Sequence, residues 1–214
     1  MDTKRLSASD PHAIAQAVTV CRAGGIVAFP TDTVYGVGAL VREEKAVRAL
    51  FQVKGRDTGK AIPVLIATLS QLEGVVRSVP PLAHQLAARF WPGPLTLVLP
   101  RHPALSPVVT GGGETVAVRM PAHDVALQLL RTLGEPLATT SANRAGEPSA
   151  TTADEVLAQL AGRIALVLDG GPSLGGVPST VLDLTTKPPS LLRRGPVGPA
   201  DWHDLLPSVA EPTR

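Results

Sequence analysis

Short apolar blocks alternate with turn-forming clusters along the chain, and their spacing sets the predicted elements. Residues 11–22 read as a first helix, with Pro11 near its start, Asp10 as a cap, and Ile14, Ala15, Val18 and Cys21 on one side. Gly24-Gly25 ends it, and Ile26-Val27-Ala28-Phe29 reads as a buried strand. A second helix is predicted over 43–52, with Ala46, Val47, Leu50 and Phe51 as its stripe. Next come a strand over 62–66, a short helix over 69–76, and a helix over 80–90 broken by Trp91-Pro92-Gly93-Pro94. Strands over 95–99 and 115–118 flank a Pro- and Gly-rich loop, where Gly111-Gly112-Gly113 reads as flexible. A helix over 125–133, a strand over 137–140 and a helix over 153–160 precede strands at 164–168, 179–184 and 190–193. Strands and helices mix without a repeat or a long linker. The pattern predicts an α/β fold, a single-domain twisted mixed sheet with flanking helices. That domain covers 1–199, and 200–214 forms a short tail with a helix around 202–206.

Three polar segments interrupt this apolar text: Pro30-Thr31-Asp32-Thr33-Val34-Tyr35-Gly36, Lys54-Gly55-Arg56 with Lys60 behind, and Thr139-Thr140-Ser141-Ala142-Asn143. The first lies just past a strand's C-terminal end, where open α/β sheets bind ligands. Asp32 there could bind a metal, take up a proton or hold the turn, and Tyr35 could flank a substrate or pack. In the second, arginine offers a planar fork for phosphate and lysine a mobile charge, with Gly55 and Gly59 permitting close approach. In the third, Thr139, Ser141 and Asn143 share one face if the strand stays extended. They could bond a ligand or satisfy their own turn. Arg119 ends a strand at the expected sheet margin, free to meet a substrate carboxylate or a structural partner. His123 reads as too exposed for a catalytic base. No nucleophile elbow, Walker loop or dinucleotide fingerprint is present.

Composition narrows the classes. The net charge of +2 is too small to imply nucleic-acid binding, although the cations cluster locally at 54–60 and at Arg193-Arg194. Cys21 is the only cysteine, which excludes an intrachain disulfide and a cysteine-rich zinc site. The histidines show no metal-ligand spacing, so no protein metal site is expected. The N-terminus has no apolar signal core, and no long apolar run suits a membrane. A soluble cytoplasmic protein is the expected class.

Read together, further fragments make a pattern: Phe90-Trp91-Pro92-Gly93-Pro94-Leu95-Thr96, Val118-Arg119-Met120-Pro121, Gly146-Glu147-Pro148-Ser149 and Pro178-Ser179-Thr180-Val181-Leu182-Asp183. With the three polar segments, in this order, the chain from about Ala8 to Pro199 resembles the YrdC/Sua5 family in its single-domain bacterial form. The resemblance implies a YrdC/RibB-like fold with a concave electropositive centre. It also implies an enzyme, a nucleotidyltransferase joining L-threonine, bicarbonate or CO2 and ATP into threonylcarbamoyl-adenylate with release of diphosphate. The product would feed N6-threonylcarbamoyl modification of adenosine 37 in tRNA through a partner transferase complex, and direct contact with tRNA or double-stranded RNA is part of the same expectation. Carried over residue by residue, threonine falls on Thr33, Arg119, Thr139 and Ser179. ATP, with Mg2+, falls on Arg56, Lys60, Thr115, Ser141, Asn143, Ser149 and Arg193, and the catalytic signature on Lys54, Arg56 and Lys60.

Two departures stand out. The family has proline where this chain has Asp57 and Ala61, which leaves the basic loop less preorganised. A threonine-contacting histidine of the two-domain archaeal relatives falls on Leu65. Those relatives also carry a C-terminal domain whose linker tyrosine closes over ATP, and neither is expected here. Alternative functions are a double-stranded RNA or tRNA-binding module without synthase activity, and a carbamoyl-adenylate-forming relative.

Overall fold

The computed structural model describes residues 2–55 and 57–210. Among the described residues ten strands form one mixed sheet: β1 (Lys4–Ser7), β2 (Val27–Phe29), β3 (Gly36–Leu40), β4 (Val64–Leu65), β5 (Leu95–Pro100), β6 (Thr115–Arg119), β7 (Leu137–Ser141), β8 (Leu166–Asp169), β9 (Thr180–Asp183) and β10 (Ser190–Arg193). Their spatial order is β1-β8-β2-β3-β7-β4-β6-β5-β9-β10, with parallel and antiparallel pairs mixed. The helices are α1 (Ala13–Arg22), α2 (Glu44–Lys54), α3 (Pro81–Phe90), α4 (Asp124–Leu133), α5 (Ala153–Leu160) and α6 (Pro199–Trp202). The α/β mixed sheet with helices is the architecture the apolar pattern predicts.

Several local expectations change. The α1 stripe is Ala13, Ile14, Ala17, Val18 and Cys21, with Ala15 exposed. A 3-10 turn at Leu69–Leu72 replaces the predicted helix over 69–76. The final helix falls at Pro199–Trp202, where Trp202 is fully buried and meets the edge of Phe90 at 6.4 Å between ring centroids. Beyond it, Leu191 and Ala210 share a backbone bond of 2.8 Å, so the chain leading out of α6 lies along β10. The Gly111-Gly112-Gly113 stretch is a bonded turn, with Gly112 N–H donating to Pro107 O and Gly113 N–H to Thr110 O.

Two strands were not expected at all. β1 is a charged edge strand whose Arg5 is neutralised by Asp169 and Asp154. β3 contains Gly36 and Gly38, which weaken any strand signal. Both glycines face Thr139 of the neighbouring β7. A Cβ on Gly36 would come within 2.9 Å of Thr139 Cγ2, and one on Gly38 within 2.8 Å of Thr139 Oγ1. Lacking a side chain at 36 and 38 lets Thr139 lie flat over β3.

The central strands carry the main functional asymmetry. On one face, Val37, Ala39, Ala138, Val64, Val116, Val118, Leu95, Leu97, Leu99 and Leu182 are buried aliphatics in register. On the opposite face the same strands present Gly36, Ser141, Thr139, Leu65, Thr115, Ala117, Arg119, Thr96, Val98 and Val181. Period-two alternation thus gives an aliphatic core on one side and a small, hydroxyl-rich floor on the other.

Candidate active site: a donor-lined cleft on the open face of the sheet

That floor is the base of a cleft of about 390 Å³. Loops complete its walls: Thr31, Thr33 and Val34 after β2, Ala61 and Pro63 before β4, and Pro178 and Ser179 before β9. Leu192 and Arg193 of β10 close the far side.

The best-ordered part of the cleft is built around Arg119. Its side chain is 6% exposed, and three of its N–H donors are engaged. Nε donates to Gly93 O at 2.9 Å, Nη1 to Thr33 Oγ1 at 2.9 Å, and Nη2 to Asp32 Oδ1 at 2.5 Å. The turn that offers these partners is itself locked, since Thr31 Oγ1 accepts from Thr33 N–H and donates to Val34 O. Asp32 Oδ1 also accepts from Ala122 N–H, whereas its Oδ2 is buried without a partner. Burial lowers the Arg119 pKa and the facing Arg193 lowers it further, while Asp32 opposes both. Arg119 therefore sits at the end of a central strand, already paired, rather than at a sheet margin. Asp32 has a role beyond the three read in the sequence: it anchors Arg119.

At the other end, Arg193 Nε donates to Ser179 O at 2.8 Å and Nη2 to Ser179 Oγ at 3.0 Å. Ser179 Oγ lies 2.7 Å from Thr96 Oγ1. Thr96, 1% exposed, lines the cleft, although it takes no role in the sequence reading beyond its place in a family fragment. Its signal was there: a lone hydroxyl at an alternate position of the aliphatic run Leu95-Thr96-Leu97-Val98-Leu99.

Seven of the residues assigned to substrates meet at this cleft, Thr33, Thr115, Arg119, Thr139, Ser141, Ser179 and Arg193, and Tyr35 lines it as well. Four others do not line it. Lys54 is the last residue of α2, which stops because Gly55 takes a left-handed conformation with φ +63°. No close backbone approach constrains Gly55. The Lys54 ammonium is buried and donates to Ser141 O, to Ser141 Oγ at 3.4 Å and to Asn143 Oδ1 at 3.3 Å. Asn143 in turn donates to Arg144 O and Glu147 O. Lys54 and Asn143 thus fix the exit of β7 from behind the wall. Ser149 is half-buried on the loop before α5, and Lys60 is exposed on the loop before β4. Arg56 lies outside the described residues.

Tyr35 is fully buried and donates its hydroxyl to Gly171 O at 2.7 Å, and burial pushes its pKa up to about 12. Its side chain packs in the core, and the residue also lines the cleft. His123 is half-buried, not exposed, with Nδ1 buried and unpartnered, and burial lowers its pKa.

Among the described residues lining the cleft there is no Asp, Glu, Cys or His. Its chemistry is donation: guanidinium and hydroxyl hydrogens, converging on a space the size of a small anionic ligand. The fold and cleft define an α/β domain with a donor-lined cleft on the open face of its sheet, of a chemistry that suits an anion-bearing small molecule.

Comparison with known proteins gives the family. The model Sua5_yciO_yrdC, described as "Telomere recombination", matches residues 19–195. The chain belongs to this Sua5/YciO/YrdC family. It is 50% identical over 174 residues to a Pyrococcus abyssi threonylcarbamoyl-AMP synthase, covering 81% of this chain and 51% of that protein. It is 50% identical over 194 residues to the Bacillus subtilis threonylcarbamoyl-AMP synthase, covering 90% of this chain and 56% of that one. The structure of P. abyssi Sua5 complexed with L-threonine superposes with a TM-score of 0.94 at 42% identity, over 99% of this chain and 62% of that chain. The chain thus spans about half the length of these curated relatives.

Proposed function

We propose that this domain is an L-threonylcarbamoyladenylate synthase, forming threonylcarbamoyl-AMP and diphosphate from L-threonine, bicarbonate or CO2, and ATP. The observation that carries the reading is the Arg119–Thr33 corner, a buried guanidinium with three of its five N–H donors engaged among the described residues, opening into a cleft whose described lining holds no carboxylate. It suits the carboxylate of an amino acid, and the superposed P. abyssi protein is one complexed with L-threonine. Thr139 and Ser179 would bind the remaining polar atoms of threonine. Arg193, Thr115 and Ser141 would meet ATP, joined from the loop before β4 by Lys60, and Arg56 is assigned to ATP with them. Asn143, like Lys54, would act through the wall, and Ser149 from the loop beyond it.

The chemistry needs no protein nucleophile. The threonine amine attacks the carbon of CO2, forming an N–C bond and releasing a proton to solvent. A carbamate oxygen then attacks the α-phosphorus, the bond to the bridging oxygen breaks, and diphosphate leaves with that electron pair. Positioning and fixed positive charge supply the catalysis. Among the described residues no three His, Cys, Asp or Glu side chains gather, so Mg2+ would enter on the phosphates of ATP. The product would serve N6-threonylcarbamoyladenosine formation at position 37 of tRNA, handed to a transferase complex in the cytoplasm. No helix among the described residues is long and apolar enough to cross a membrane.

The test is direct. Purified protein is incubated with ATP, Mg2+, bicarbonate and threonine, and threonylcarbamoyl-AMP is detected by mass with diphosphate in equal amount. Omission of threonine should abolish both. Diphosphate release without threonine, or no adenylate with all substrates present, would remove the assignment.

A further inference from the structure

A residue assigned to threonine and one assigned to ATP are hydrogen-bonded to each other where Arg193 grips Ser179. Thr96, which belongs to neither group, completes this junction at 2.7 Å from Ser179 Oγ. The pairing of Leu97 with Val118 also sets Thr96 alongside Arg119 on the cleft floor. Resting on the synthase reading, we propose that Thr96 and Ser179 form the binding site for the carboxylate of the one-carbon substrate, as bicarbonate or as the carbamate made from it.

A count of protons supports this. Ser179 Oγ accepts from Arg193, and one hydrogen lies between Ser179 and Thr96. Each hydroxyl brings one hydrogen, so whichever way the pair is oriented, one O–H has no acceptor in the protein. Both residues are almost fully buried and both line the cleft, so that hydrogen finds its acceptor in the cleft, in water until a ligand displaces it. The ligand must be an acceptor, and guanidinium groups flank the point from either side, Arg193 on Ser179 and Arg119 beside Thr96. A small planar oxyanion meets these demands. Its place follows from the reaction: the one-carbon unit is the group that bridges the amine of the amino acid and the α-phosphorus, and this junction lies between the two sets of contacts.

Thr96→Val keeps the shape and strand preference of the side chain and removes only the hydroxyl. At saturating ATP and threonine, the apparent KM for bicarbonate should rise about tenfold or more. The KM values for threonine and ATP should stay within about twofold, and the thermal midpoint should hold. Thr96→Ser should restore the bicarbonate KM to within about threefold of wild type, because the hydroxyl returns. Line broadening of 13C-bicarbonate in the NMR spectrum gives a direct arm. Broadening by wild type without threonine identifies bicarbonate as the bound species, broadening only with threonine identifies the carbamate, and Thr96→Val should lose either. An unchanged bicarbonate KM in Thr96→Val, a parallel rise in all three KM values, or no broadening with wild type would overturn the site while leaving the synthase reading intact. A wild-type protein that makes no adenylate would sink both.

Discussion

The two cationic regions around the cleft are built to opposite standards. At one end Arg119 is buried, clamped by Gly93, Thr33 and Asp32, and set on a central strand between β4 and β5. At the other, Lys60 stands exposed on a turn held by Asp57, whose Oδ1 accepts from Gly59 N–H at 2.9 Å and whose carbonyl accepts from Lys60 N–H at 3.3 Å. A small rigid zwitterion suits a preformed socket, while a long triphosphate is better met by side chains that can adjust. The contrast teaches that positive charge alone does not define this site; the degree of preorganisation separates its two halves.

The largest effect should come from breaking the rigid half. Arg119→Ala strands the Asp32 carboxylate, and loss of one partner of a buried pair costs about 3–5 kcal/mol. For a chain of this size the thermal midpoint should fall by roughly 6–20 °C. Calorimetry should find no threonine binding in the folded fraction. Unchanged threonine affinity would remove Arg119 from that ligand.

Two lysines sharpen the contrast next. Lys54→Met should lower stability by about 1–3 kcal/mol, because Ser141 O and Asn143 Oδ1 lose their buried donor. Lys60→Ala should leave stability within about 0.5 kcal/mol, as at other exposed positions. Its effect should be on ATP, with KM raised by roughly tenfold or more through loss of a charge-assisted contact. If the stability effects of the two variants were reversed, the division into a structural and a ligand-facing lysine would fail.

How much of this could be read from the sequence depends on distance along the chain. Alternation in 95–99 and 115–119 was legible because each strand carries its own period. β3 was hidden because Gly36 and Gly38 look like a loop until Thr139, about a hundred residues later, is laid over them. Local reading also placed Lys54 with Arg56 as a phosphate cluster. Whether a terminal helical residue turns inward depends on what packs there, and Ser141 and Asn143 are strangers in sequence. The same holds for Asp32, whose role is set by a guanidinium 87 positions away. Residue types marked the cleft; only the folded register showed which of them face it.

A smaller test concerns the looser half. Asp57→Pro restores the residue that the family resemblance expects and fixes φ at 57, which must outweigh loss of the Asp57 Oδ1 bond to Gly59 N–H. Such a substitution is worth about 0.4–1 kcal/mol, which corresponds to a drop of roughly two- to fivefold in the KM for ATP. The threonine KM should not move, since the Arg119 corner is already fixed. An unchanged or higher ATP KM would show that the missing proline does not limit nucleotide binding.

The smallest effect belongs to His123, which lies next to Ala122, a donor to Asp32. Burial lowers its pKa in the folded protein, and attraction to Asp124 and Asp32 only partly offsets this. In the unfolded chain the imidazole titrates near the ordinary value of about 6.5. Between the lowered folded value and that ordinary one, the unfolded state binds a proton that the folded state refuses. Stability is therefore fully present above the ordinary value and declines as pH drops through the window. His123→Gln removes the titration, so its thermal midpoint should gain on that of wild type as pH is lowered from 8 to 5.5. Because Asp32 also holds Arg119, the same acidification should weaken threonine binding in wild type more than in the variant. Parallel midpoint curves for the two proteins would mean that His123 takes its proton without resistance, and that the packing around the Arg119 socket is looser than its hydrogen bonds suggest.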